Sequence, residues 1–216
     1  MTKTILVIGL GRFGRHLIMN LEKLGHEIMA VDNVPERVEN VADHVTRAQI
    51  GDATNEEFLK TLGVSNFDLC MVAIGSDFES SIVTTSILSE LGAQRIVSRA
   101  SRDVQAKLLL ANGAENVIYP EKQLARWSSI RYTGDNILEY MDLECGYAIC
   151  AIPVPKKWVG KAPVELDVRK THNINVLGTR RNGKVDFAID PERAFEPGDN
   201  VYLLGAFETI QRFTTN

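Results

Sequence analysis

Along the first 131 residues, a short β-branched apolar run is followed by a longer helix-like segment six times over. The runs at 4–8, 27–31, 46–50, 69–74, 95–98 and 116–118 read as buried strands. The segments at 11–24, 35–43, 55–62, 78–91, 103–112 and 121–131 read as helices. Strands joined by short helical crossovers pair in parallel, and helices then cover both faces of the sheet. Right-handed crossovers make that sheet doubly wound. The punctuation agrees. Gly25, Gly63, Gly92 and Gly113 each follow the last periodic residue of a helix, where a left-handed glycine ends it. Thr54 with Glu57 fits a capping box, and Asp77 and Ser101 fit N-caps.

From about Thr133 the alternation stops and strand-like runs dominate, at 147–153, 173–180, 185–189 and 200–205. Asn182-Gly183 between two of them is a hairpin signal. Short helices are expected at 163–170 and 207–213. The fold class is therefore α/β: a Rossmann-like doubly wound parallel sheet with a second, smaller α+β domain. The expected division is 1–132 for the nucleotide-binding domain, 133–144 for a linker with a helical turn at 136–141, and 145–216 for the second domain.

Charge narrows the partners. The formal net charge is −4, and ten basic residues balance ten acidic ones over 142–216. With neither a basic face nor a helix-turn-helix, nucleic acid is not an expected partner. No apolar run approaches the roughly 18–20 residues of a membrane span, and Met1-Thr2-Lys3-Thr4 leads into a strand without signal-peptide character. Cys70, Cys145 and Cys150 cannot make a disulfide framework. Cys145 and Cys150, five apart in a strand-like stretch, would point to opposite faces and not chelate one metal. All three read as reduced, which places the chain in the cytoplasm.

The first strand runs into Gly9-Leu10-Gly11-Arg12-Phe13-Gly14 and then a helix, the context a dinucleotide-binding turn requires. Gly9 allows the tight turn, Gly11 the approach of a phosphate, and Gly14 the packing of helix on strand. The helix N-terminus offers free N–H groups and the positive end of its dipole. Asp32, at the end of the second strand, suits ribose hydroxyls and disfavours a 2′-phosphate. Asn33 and Arg37 just beyond it are counted with the site. Arg12 is either a solvated helix-start residue or a bidentate phosphate ligand, suited to ATP or to phosphates shared between subunits. The other strand ends line the same crevice: Asp52 and Ala53, then Ala73, Ile74 and Gly75, then Arg99, then Glu121. Glu121 beside phosphates needs a cation, from a divalent ion or a neighbouring subunit's Arg. As a first-turn acid after Pro120 it has a plain helix-stabilising role instead.

Val7 to Gly14, Ala30-Val31-Asp32, Gly51-Asp52-Ala53-Thr54, Val72 to Gly75 and Pro120-Glu121-Lys122 together resemble the RCK (KTN, or TrkA-N) family of potassium-transport regulatory domains. The second part resembles the companion TrkA-C domain through Leu166-Asp167-Val168-Arg169 and the closing strand and helix. Within the family the likeness is greatest to the Ktr potassium-uptake branch. The resemblance implies a cytosolic subunit that forms homo-oligomeric rings, typically octamers, on the inner face of the membrane, against a membrane-embedded potassium-translocating subunit. It implies ATP/ADP control in the N-terminal crevice, with NAD(H) also binding there. Arg12 would then contact phosphates, Asp32 the ribose, and Glu121 would help hold Mg2+ or another cation. It further implies cyclic di-AMP as a ligand of the second domain, where Arg169 and Asn175 are the candidate contacts.

The alternative is a small NAD-dependent dehydrogenase. That chemistry needs a proton donor at the nicotinamide, and His16, His26, His44 and His172 show no convergence in the sequence. Ser80-Ser81 and Ser128-Ser129 lie in helical segments without a G-x-S-x-G turn. The reading is of a regulatory protein and not an enzyme.

Overall fold

The computed structural model describes residues 1–75, 77–134, 136–143 and 145–214. The chain divides into two compact units, Met1–Glu121 and Lys122–Asn216. In the first, β1 (Thr4–Ile8), α1 (Arg12–Lys23), β2 (Glu27–Asp32), α2 (Pro35–Glu39), β3 (Arg47–Ile50), α3 (Glu56–Thr61), β4 (Leu69–Val72), α4 (Phe78–Glu90), β5 (Ile96–Arg99), α5 (Asp103–Ala111) and β6 (Asn116–Ile118) follow one another. The strands form one parallel sheet in the order β3-β2-β1-β4-β5-β6. The order reverses between β1 and β4, and that is where an open α/β sheet parts to leave a crevice. Alternate residues serve two cores, as period-two side chains must. Leu6, Ile8, Met29 and Val31 pack into one. Ile5, Val7, Ile28 and Ala30 pack into the other.

Gly25, Gly63, Gly92 and Gly113 all have positive φ, as helix-ending glycines. Asp77 caps α4, accepting from the Ser80 N–H at 3.0 Å. The other two expected caps differ. Asn55, not Thr54, caps α3, because the Thr54 hydroxyl is taken by Asp52 at 2.8 Å. Arg102 precedes α5, while the Ser101 N–H goes to the Gln105 side chain at 2.8 Å. The helix expected at 35–43 ends at Glu39, followed by a separate 3-10 turn, Ala42–His44.

The chain passes into the second unit along α6 (Pro120–Thr133). That unit holds β7 (Glu139–Asp142), β8 (Tyr147–Pro153), α7 (Pro163–Leu166), α8 (Val168–His172), β9 (Asn175–Arg181), β10 (Lys184–Asp186), β11 (Asn200–Ala206) and α9 (Phe207–Thr214). Its sheet is antiparallel, in the order β10-β9-β11-β8-β7. Ala148, Cys150, Ile152, Val201 and Leu203 face a single core with Trp158, Phe195, Ile210 and Phe213. Trp158 packs 6.0 Å from Phe195 and 5.5 Å from Phe213, ring to ring. Asn182 and Gly183 carry φ of 50° and 77°, the two left-handed residues of a tight hairpin.

Four expectations for this part need correction. The 133–144 segment is not a plain linker, and 136–141 is not helical. Residues 139–142 are strand β7, paired with β8 from Glu139↔Ala151 to Asp142↔Ala148. The division between units falls at 121/122 and not near 132. Glu144, expected to end the linker, lies outside the described residues. The helix expected at 163–170 is two short ones, broken where Asp167 turns left-handed at φ 42°. Cys145 is not on a strand at all. It is exposed in the turn before β8 with φ 49°, whereas Cys150 is buried within β8.

Candidate functional site

The corner after β1 is built by steric necessity. Gly9 has φ +94°, and a Cβ there would lie 2.9 Å from the Ile74 N. The end of β1 is thus pressed onto the end of β4 at the switch point, with the Ala73 N–H donating to the Ile8 carbonyl at 2.7 Å. A Cβ on Gly14 would lie 2.0 Å from the Gly9 carbonyl oxygen, so only glycine lets α1 cross the turn this closely. Gly11, by contrast, opens on free space: nothing stands within 4 Å of where its Cβ would be. It is the N-cap of α1 and has no side chain to satisfy the first N–H groups, and the first turn contains no acidic residue. Open space, free donors and the dipole's positive end give this corner the chemistry that suits an anion.

Arg12 is exposed and makes no ion pair among the described residues. Phe13, beside it, carries the Arg99 guanidinium 5.4 Å from its ring centre. Asp32 is buried and does more than sequence reasoning assigned to it. Its Oδ2 accepts from the Leu10 N–H at 2.7 Å and its Oδ1 from the Val34 N–H at 2.9 Å. The carboxylate therefore ties the glycine turn to the end of β2. Arg37, half exposed, approaches it at 3.5 Å. Asn33 is exposed on the same turn. A carboxylate oxygen has two acceptor directions, so each Asp32 oxygen can accept one bond beyond its backbone donor.

The next strand ends add their parts. The Gly51 N–H donates to the Asp32 carbonyl at 3.0 Å, joining the ends of β3 and β2. Asp52 turns its carboxylate onto its own loop, accepting from the Thr54 N–H at 2.9 Å. Ala53 is buried, and its carbonyl accepts from the Thr84 hydroxyl of α4 at 3.2 Å. A Cβ on Gly75 would meet Arg99 Nη1 at 2.2 Å, so the guanidinium lies close against that glycine. Arg99 Nη2 donates to Glu121 Oε1. The Glu121 backbone N–H, at the start of α6, and the Arg99 guanidinium hold the Glu121 carboxyl below its ordinary range against a smaller opposing effect of burial. The cation next to Glu121 is thus a guanidinium of the same chain. No group of three or more His, Cys, Asp or Glu side chains is placed to hold a metal among the described residues. A metal here would take one protein carboxylate and the rest of its oxygens from phosphates and water.

The structure brings together Gly9, Ala73 and Ile74, then Leu10, Asp32 and Arg37, then Phe13, Gly75, Arg99 and Glu121. It does not join Arg169 to Asn175. Arg169 is exposed on α8, Asn175 opens β9, and no hydrogen bond links their side chains among the described residues. The histidines go separate ways. His26 accepts from the Lys3 N–H at 3.3 Å, His44 pairs with Glu22 at 2.9 Å, and His172 packs edge-on against Phe213. No described helix is long and apolar enough to cross a membrane.

The TrkA-N domain model matches residues 5–120 and the TrkA-C domain model residues 148–216. The chain is 34% identical over 213 residues to Ktr system potassium uptake protein C of Bacillus subtilis (strain 168), covering 99% of this chain and 96% of that one. It is 34% identical over 211 residues to protein A of the same system and organism, covering 98% and 95%. Among solved structures it is similar to the GsuK channel bound to NAD, with a TM-score of 0.66 and 20% identity over 97% of this chain and 38% of that one.

Proposed function

This chain belongs to the family defined by the TrkA-N and TrkA-C domains, and from that premise we propose that it is the regulatory subunit of a Ktr/Trk-type potassium-uptake system, switched by an adenine nucleotide in the crevice of its first unit. The observation that carries this reading is the corner at α1. Arg12, without an ion-pair partner among the described residues, stands beside a helix N-terminus that has no side-chain cap and no acidic residue in its first turn. Two phosphates are balanced by a helix dipole and backbone N–H groups. A further cation in reserve suits ATP or ADP and the phosphates of a paired subunit.

In this reading Gly9, Gly11 and Gly14 shape the phosphate turn and Asp32 holds the ribose, with Asn33 and Arg37 at its rim. Asp52, Ala53, Ala73, Ile74 and Gly75 flank the adenosine. Arg99 and Glu121 meet the outer phosphates, where Mg2+ or another cation would screen charge. NAD(H) fits the same turn. The subunit forms homo-oligomeric rings, octameric by resemblance, on the inner face of the cell membrane against the potassium-translocating subunit. Cyclic di-AMP is the proposed ligand of the second unit, through Arg169 and Asn175. Ligands with different phosphate counts favour different ring geometries through their different contacts, and no bond is made or broken.

Titration calorimetry of ATP, ADP and NAD against the wild type and Arg12→Ala tests the assignment. Losing a charged hydrogen bond is worth about 1.5–3 kcal/mol, or roughly 10- to 100-fold, and the loss should be larger for ATP than for NAD. Unchanged affinities would remove Arg12 from the phosphates. A chain that binds none of the three would end the nucleotide reading.

A further inference from the structure

We propose that Glu121 and a nucleotide phosphate compete for the Arg99 guanidinium, so that Glu121 is a built-in competitor setting how strongly the crevice answers to phosphate. This rests on the nucleotide reading of the crevice and adds a device to it. The two partners of the ion pair are unequal. The Arg99 side chain is 19% exposed and Glu121 58% exposed. Arg99 is fixed by its surroundings, with the Gly75 backbone on one side and the Phe13 ring 5.4 Å away. Phe13 belongs to the first turn of α1, so the guanidinium is held against the phosphate corner whichever anion it serves. Glu121 is the more exposed partner, and an ion pair open to solvent on one side is a weak one.

The pair also leaves Arg99 incompletely served. Nη2 donates to Glu121, while Nε is buried and has no acceptor among the described residues. A guanidinium presents its N–H groups as a rigid fork, and phosphate oxygens match that fork two at a time. A phosphate that reached Nε would satisfy a buried donor that Glu121 leaves orphaned, and buried donors are costly to leave unmade. Gly75 has the matching role on the other side. Any side chain there would meet the guanidinium and push it away, so this glycine reserves the space in which Arg99 lies. The exchange would also free a carboxylate on the first turn of α6, the helix along which the chain enters its second unit.

The test is calorimetric titration of ADP, and of inorganic tripolyphosphate, in EDTA-containing buffer without divalent metal. Glu121→Gln keeps the shape and removes the competing charge, and should bind ADP about fivefold to tenfold more tightly than wild type. Arg99→Gln should bind it at least about tenfold more weakly, and Arg99→Gln/Glu121→Gln no better than Arg99→Gln alone. Gly75→Ala in the Glu121→Gln background should erase the gain while leaving every charge in place. Arg99→Lys guards against a folding artefact, because it keeps the charge without the fork and should lose most of the gain. Thermal unfolding of each variant shows whether the fold is intact. An unchanged or weakened Glu121→Gln, with wild type binding ADP normally, overturns the competition and leaves the nucleotide reading standing. A wild type that binds neither ligand overturns both.

Discussion

The first unit sends alternate residues of β1 to two cores, Leu6 and Ile8 to one and Ile5 and Val7 to the other. The second sends Ala148, Cys150 and Ile152 of β8 to a single core. Its opposite sheet face carries Tyr202, whose ring is tilted against that of Phe187 at 5.2 Å, with Arg180 donating to both Tyr202 and Glu139. A parallel sheet covered on both faces has only its strand ends free, so its site is made of turn backbone and glycines. An antiparallel sheet covered on one face keeps the other for side chains, and ion pairs hold that surface in place. The first unit is therefore most sensitive to steric change at glycines, and the second to loss of charged partners.

Three experiments sharpen or break that contrast. The largest effect is expected at Gly14, where a Cβ would fall 2.0 Å from a backbone oxygen. Gly14→Val should destabilise the first unit by about 3 kcal/mol or more. Both tryptophans, Trp127 and Trp158, lie in the second unit. Far-UV circular dichroism should then show an early transition that tryptophan fluorescence does not. Coincident transitions would mean that the two units unfold as one.

A smaller effect is expected at Arg181, which bonds Asp199 through Nε at 2.8 Å and also reaches Glu196. Burial alone would raise the Asp199 carboxyl, but Arg181 and the Glu196 N–H outweigh it and hold it below its ordinary value. A lowered folded-state pKa gives stability that is present above the unfolded value of 3.8 and is lost as pH falls through the folded one. Arg181→Ala should cost the second unit about 2–3 kcal/mol at neutral pH and flatten its acid limb, read by tryptophan fluorescence against pH. An acid limb identical to wild type would show that another group sets it.

The smallest perturbation is chemical labelling. Burial pushes the Cys70 and Cys150 thiols up to about 12, whereas Cys145 is exposed. A disulfide reagent at pH 7 should modify Cys145 at once, Cys70 only as the first unit opens, and Cys150 only as the second does. Simultaneous labelling of Cys70 and Cys150 would contradict independent opening.

Much of the first unit was legible because its signals are local. Each strand run had a glycine within three residues of one end, and all six strands stand where the apolar runs put them. Strand β7 was not legible. Its four residues include one buried side chain, Tyr140, too few to display an alternation, and its partner β8 lies beyond the turn at Cys145-Gly146. In the crevice the glycines were readable from spacing, because each answers a backbone demand. The ties of Asp32 to Leu10 and Val34 were not, since nothing in spacing tells how a carboxylate divides its lone pairs. The Arg99–Glu121 contact joins residues 22 apart and follows only once β5 and β6 are in register, Arg99 opposite Ile118.

Asp32 has a consequence for timing. By bonding the Leu10 and Val34 N–H groups it finishes the turn before any visitor arrives. Capture need not wait for a loop to order, so its rate should follow diffusion and long-range attraction. Raising ionic strength should then slow the on-rate, through screening of Arg12 and its neighbours. Dissociation, governed by close contacts, should change much less.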